Sequence, residues 1–218
     1  MCFSPTASFT TAGITAVVAA VSLARVTRRS EIPLAAMPLI FGVQQAIEGV
    51  LWLTLPDAAP GVLSNALVLA FLIVAQLVWP VYAPIAAWSA EPDRRRRRAM
   101  LLCMGLGVAV AVSFLPALIT GPHRASVVNR CIVYQTHHTH PELIGLAYLG
   151  ATCLPMLLST RRVIAGLGGV VLAGSIVAYL FYWQAFISVW CFFGAAGSAI
   201  ILAHFEHARR TLPALAAG

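Results

Sequence analysis

Long runs of apolar residues, separated by short polar breaks, dominate the pattern of this chain. A helix needs about 20 apolar residues to cross a hydrocarbon core of about 30 Å, and seven runs approach or exceed that length. The pattern predicts an all-α integral membrane protein, a seven-transmembrane-helix bundle. The predicted helices cover residues 6–24, 33–55, 62–88, 99–120, 143–159, 163–182 and 184–204.

The positions of the basic residues predict the orientation of these helices. All 14 basic residues are arginines, and twelve of them form clusters at 25–29, 94–98, 161–162 and 209–210. Basic residues mark the cytoplasmic ends of membrane helices, so the N-terminus is expected outside and the C-terminus in the cytoplasm. Because clusters flank both ends of the run 163–204, we expect two crossings there, with an outer turn near Tyr182, Trp183 and Gln184.

The overall composition excludes a water-soluble globule. The chain is 60% hydrophobic and only 10% charged, with a mean hydropathy of +0.88. Its net charge of +7 needs no nucleic acid partner, because the run Arg94–Arg98 is expected to contact anionic lipid headgroups of the bilayer. We expect one membrane domain over residues 1–210 and a short disordered tail over 211–218.

Three short motifs resemble a known family. They are Met1-Cys2-Phe3-Ser4, then Phe41-Gly42-Val43-Gln44-Gln45 with Glu48-Gly49, and Ser188-Val189-Trp190-Cys191-Phe192-Phe193. The pattern is similar to a family of small bacterial multi-pass membrane proteins of unassigned function, which begin Met-Cys-Phe-Ser and carry a Phe-Gly-x-Gln-Gln-x-x-Glu-Gly helix. The resemblance implies a multi-pass protein of the bacterial inner (plasma) membrane, and it implies no activity.

Glu48 is the only acidic residue well inside the predicted helices. An ionisable side chain there costs about 2.5–3.5 kcal/mol, so it usually faces the interior of the bundle. Gln44, Glu48 and Trp52 share one helix face, and Gln45 and Gln76 lie within reach of the same interior. These five residues predict an outward-facing polar pocket. The alternative is that they form interhelical hydrogen bonds which only fix the packing.

The longest loop, residues 121–142, is expected on the outer side and is rich in histidine. His137, His138 and His140, together with Cys2, are candidate ligands for a transition metal, Zn or Cu. The alternatives are a hydrated loop without a metal and a disulfide between Cys2 and Cys131. The disulfide competes with the metal site because an oxidised sulfur cannot act as a thiolate ligand.

These observations leave three classes of function open. The first is binding of a transition metal or small ligand in the outward-facing pocket. The second is a membrane-embedded metal-dependent hydrolase, in which Glu48 is the catalytic general base acting on a metal-bound water. The third is a structural or accessory membrane subunit. The absence of lysine excludes a retinal Schiff base.

Overall fold

The computed structural model describes residues 4–55, 61–121, 123–135 and 141–216, with side chains described except at 141 and 208–216. Its helices Val62–Ile73 and Trp79–Ala90 are joined by a π-helical turn, Val74–Val78, into one continuous rod. The helices are α1 (Pro5–Ala24), α2 (Ile32–Thr54), α3 (Val62–Ile73), α4 (Trp79–Ala90), α5 (Arg94–Thr120), α6 (Pro141–Leu157), α7 (Arg162–Phe181) and α8 (Phe186–Ala216).

The chain is predominantly helical, and its helices are consistent with a multi-pass membrane protein. In the part that the structure describes, six rods are long and apolar enough to cross a membrane, and α6, with 17 residues, is shorter. This supports an all-α multi-pass fold, while the seventh crossing and the orientation stay predictions. A 3₁₀ turn, Trp183–Ala185, separates α7 from α8 where the arginine clusters indicate a turn. The helix α8 runs on to Ala216, into the segment expected to be a disordered tail.

The helix α5 includes the whole arginine run, which the pattern of apolar residues places before the helix. Asp93 caps its N-terminus, and the carboxylate accepts a hydrogen bond from the backbone N–H of Arg96 at 2.8 Å. Arginine is a good helix former, so a run of five arginines continues the helix once the cap has started it.

The helix α2 lies at the centre of the bundle. Of its membrane-spanning window, 61% is buried inside the protein, against 28% for the peripheral helix α1. It packs against α1, α4 and α8. Gly49 allows the close approach of α1, because a Cβ atom at this position would lie 2.7 Å from the ring of Phe9. The polar side chains of α2 are therefore enclosed by other helices.

The π-helical turn has a local cause in Pro80. Proline has no N–H, so the usual i→i−4 hydrogen bond from residue 80 to the carbonyl of Gln76 cannot form. The N–H of the preceding Trp79 bonds to the carbonyl of Val74, five residues back, and not to that of Ala75. The carbonyl of Ala75 then lacks its helical donor, and it accepts a hydrogen bond from the hydroxyl of Tyr148 on α6 at 2.5 Å. The turn thus ties the α3–α4 rod to α6.

A β-hairpin follows α5, in a segment expected from the sequence to be only a loop. Strand β1 (Arg124–Val128) pairs with β2 (Cys131–Gln135) in antiparallel register. The connecting residues Asn129 and Arg130 both have positive φ, 49° and 58°, as a type I′ turn requires. The sequence does carry a signal for this hairpin, because β-branched residues flank an Asn-containing pair.

Candidate functional site

Glu48 lies in the interior of the protein on α2. Its exposed fraction is 0%, as are those of Gln44 and Gln45. The three residues lie one turn apart or less on the face that α2 turns toward α4 and α8. The sequence prediction that these side chains face the bundle interior agrees with their burial. That they form a ligand pocket stays a prediction.

The carboxylate of Glu48 collects hydrogen-bond donors from separate elements. The Ser188 hydroxyl on α8 donates to Oε1 at 2.7 Å, and the Tyr134 hydroxyl on β2 donates to the same oxygen at 3.2 Å. The Gln45 amide on α2 donates to Oε2 at 3.4 Å. Burial and the neighbouring Glu48 raise the pKa of Tyr134 well above its usual value of 10, so its hydroxyl keeps the donated proton.

Gln44 links three helices through both ends of its amide. Its Oε1 accepts a hydrogen bond from the indole N–H of Trp79 on α4 at 2.9 Å. Its Nε2 donates to the sulfur of Cys191 on α8 at 3.1 Å. The Trp79 ring also stacks on Phe41, with ring centroids 4.0 Å apart. Gln44 is therefore held in a fixed orientation next to Glu48.

The remaining residues of the predicted pocket lie in different surroundings. Trp52, one turn beyond Glu48 on α2, is partly exposed. Gln76 is only 4% exposed and belongs to the π-helical turn. Gln45 is more informative, because its Oε1 is buried and has no hydrogen-bond partner within the described residues. A buried acceptor of this kind, beside a carboxylate, is suited to a donor or a cation.

The hairpin covers this cluster. Ile132 and Tyr134 of β2 are buried, and the Tyr134 ring stacks in parallel on Phe71 of α3 with centroids 4.4 Å apart. The hydroxyl of Tyr134 reaches Glu48 from this position. Since Glu48 has no exposed surface, a ligand from the hairpin side reaches it only if this cover moves. The residues that sequence reasoning missed are Tyr134 and Ser188.

The cysteines and histidines of the predicted metal site are only partly described. Cys131 is disulfide-bonded, whereas Cys103, Cys153 and Cys191 have free thiols. Cys2, His137, His138 and His140 lie outside the described residues. Across residues 4–55, 61–121, 123–135 and 141–216, no group of three or more His, Cys, Asp or Glu side chains is placed to hold a metal. The metal site and the Cys2–Cys131 pair stay predictions.

The apolar rods and the enclosed carboxylate define a class, the multi-pass membrane proteins with a polar cluster in the helix bundle. The chain belongs to a family of unknown function, DUF6629, whose family model matches residues 1–217. Comparisons with curated proteins and with solved structures find no match. The family supports the expected resemblance to proteins of unassigned function, and it supplies no activity.

Proposed function

We propose that this protein binds a small cation from its outer side at Glu48, with the β-hairpin as the cover of the site. The observation that carries the proposal is the pair of neighbouring acceptors on α2. One is the carboxylate of Glu48, and the other is the buried Oε1 of Gln45, which has no hydrogen-bond partner within the described residues. A carboxylate and an acceptor without a donor, both in a low-dielectric interior, favour a positively charged ligand.

The hydroxyl groups around Glu48 support the same chemistry. Ser188 and Tyr134 now donate to the carboxylate, but a hydroxyl also carries lone pairs and can rotate to offer them to a cation. Gln44 is held by Trp79 and Cys191, so it forms a fixed wall that need not rearrange. A bound cation would therefore replace two donated hydrogen bonds without disturbing the neighbouring packing.

The identity of the cation depends on groups that complete the site. A zinc or copper ion would require nitrogen or sulfur ligands, and the candidates are His137, His138 and His140, joined by Cys2 only if its sulfur is a reduced thiolate and not the disulfide partner of Cys131. A cation that takes oxygen ligands, or a protonated amine, requires only Glu48, Gln45 and the two hydroxyls. The hydrolase alternative additionally needs a metal with an open coordination position, held by ligands outside the described ranges.

The proposal is tested by the effect of cations on stability and by metal content. The purified protein is melted in detergent with and without Na⁺, Ca²⁺, Zn²⁺, Cu⁺ or methylammonium, and metals are quantified by mass spectrometry after desalting. A cation present at 100 times its Kd should add about 2.7 kcal/mol to the free energy of unfolding. E48Q keeps the shape of the side chain and removes its charge, so it should abolish this gain.

E142Q is the matched control. Glu142 is an exposed carboxylate in the first turn of α6, so its loss should leave cation binding unchanged. Stabilisation that persists in E48Q would show that the cation binds elsewhere and would contradict the proposal. If no cation stabilises the wild type, the Glu48 cluster only packs the helices. A His137/His138/His140 triple alanine variant then decides separately whether the loop binds zinc or copper.

A further inference from the structure

A cavity lies between the tip of the hairpin and the turn that joins α7 to α8, and Glu48 does not belong to its described lining. Its volume is about 450 Å³, within the range of small-molecule sites. The turn contributes residues 180–185, and the hairpin contributes Val128, Asn129, Cys131 and Val133. Most of the lining is apolar or aromatic, and the side chains of Asn129 and Gln184 add polar groups.

The cavity lies at the end of the apolar helix α7, where we expect a membrane to change from hydrocarbon to headgroups. Leu180 and Phe181, at the end of the apolar helix α7, are 67% and 75% exposed, as expected for side chains that face lipid tails. Tyr182 and Trp183 follow directly, and amphipathic aromatic rings concentrate at the headgroup level of bilayers. The wall of the cavity therefore continues into the lipid-facing surface.

The charge beside the cavity is positive. Arg130 is exposed at the tip of the hairpin, between the lining residues Asn129 and Cys131. Among the residues that the structure describes, no acidic side chain belongs to the lining. An apolar cavity that opens toward the bilayer and has an arginine at its edge matches an amphiphile with a negatively charged head. The other arginine of the hairpin, Arg124, lies at the opposite end of the strands, paired with Gln135.

We propose that this cavity binds one anionic phospholipid from the leaflet on the hairpin side. The upper part of an acyl chain lies against the α7–α8 turn, and the phosphate contacts Arg130. The site is separate from Glu48 and does not depend on the proposed cation binding. It also lies at the opposite end of the bundle from the Arg94–Arg98 run, which is expected to contact headgroups non-specifically.

The experiment measures lipid that stays bound during native mass spectrometry of the full-length protein. The protein is exchanged into detergent with phosphatidylglycerol or with phosphatidylcholine of the same acyl chains. We expect the wild type to retain one phosphatidylglycerol that phosphatidylcholine does not replace. R130Q should weaken this binding about fivefold, which is typical of one basic residue at a membrane surface. R124Q is the matched control and should retain the lipid.

A second pair of variants tests the cavity itself. Val128 lines the cavity and is 39% exposed, whereas Val127 is 38% exposed and does not belong to the lining. V128W fills the cavity and should lose the bound lipid, while V127W should keep it. Equal retention by V128W and V127W would overturn the proposal. Equal retention of both lipids in the wild type, or equal effects of R130Q and R124Q, would overturn the role of the anionic headgroup.

Discussion

The arginine-rich end of the bundle and the hairpin end both bury carboxylates, but they surround them differently. At the arginine-rich end, Glu91 is 2% exposed and accepts hydrogen bonds from the turn between α6 and α7. The donors are the Ser159 hydroxyl, the Thr160 N–H and the Thr160 hydroxyl, at 2.7–2.8 Å, and the N–H of Asp93 at 3.1 Å. Backbone donors and short side chains thus hold Glu91 in place.

Two ion pairs also join separate elements at the arginine-rich end. Glu31, before α2, pairs with Arg161, before α7, at 2.7 Å, and Arg25 at the end of α1 pairs with Glu206 on α8. Glu48, by contrast, receives side-chain hydrogen bonds, one of them from a hairpin inserted among the helices. The difference teaches that backbone N–H groups help to hold Glu91, whereas the hydrogen bonds described at Glu48 come from side chains, two of them from the distant α8 and β2.

The largest effect should come from removing Glu91. E91A removes the acceptor of the buried Ser159 hydroxyl and of the less buried donors of Thr160 and Asp93, so we expect a loss of about 2 kcal/mol in the free energy of unfolding. The measurement is an equilibrium unfolding titration in mixed detergent, followed by circular dichroism. E91Q is the control, and it should lose less because one acceptor oxygen remains. A loss below about 1 kcal/mol in E91A would remove the structural role assigned to this end.

Acid should weaken the same contact, and less than the alanine change does. Burial raises the pKa of Glu91, but its hydrogen bonds outweigh burial and hold the pKa below the usual value. The unfolded chain therefore takes up the proton first, at about pH 4.3, and stability falls as the pH drops from there through the folded pKa. Unfolding titrations from pH 7 to pH 3 should show this fall in wild type. The fall should be smaller in E91Q, and equal falls would contradict the assignment.

At the hairpin end, two buried serines make different kinds of hydrogen bond. One bonds to the carboxylate of Glu48, and the other bonds within its own helix. Ser188 and Ser175 are 0% and 1% exposed, and each donates a hydrogen bond at 2.7 Å. S188A removes a donor to the Glu48 carboxylate and should cost about 1.5 kcal/mol. S175A removes a bond to a carbonyl of its own helix and should cost about 0.5 kcal/mol or less.

The same unfolding titration compares the two serine variants. Equal losses in S188A and S175A would show that Glu48 gains no particular support from α8. Such a result would make the hairpin end resemble any other packed part of the bundle, and it would weaken the case for a ligand site there.

The sequence indicates one half of the candidate site and not the other. The helical spacing places Gln44 and Glu48 on one face, because the pattern within α2 is local. Tyr134 and Ser188 are separated from Glu48 by 86 and 140 residues, and their contacts depend on how the hairpin and α8 pack. Local periodicity carries no information on such distant pairings. The π-helical turn could be suspected from Pro80, but the hydrogen bond from Tyr148 that satisfies it could not.

The smallest effect should appear where the arginine-rich end meets solvent. Arg96 is exposed and donates a hydrogen bond at 2.7 Å to the carbonyl of Leu158, just after the C-terminus of α6. A cation at a helix C-terminus contributes about 0.3–1 kcal/mol, so R96Q should cost about 0.5 kcal/mol, and less at high salt. R95Q changes a neighbouring exposed arginine of the same helix and should cost less. If R96Q loses as much unfolding free energy as E91A, then burial does not determine which contacts stabilise the arginine-rich end.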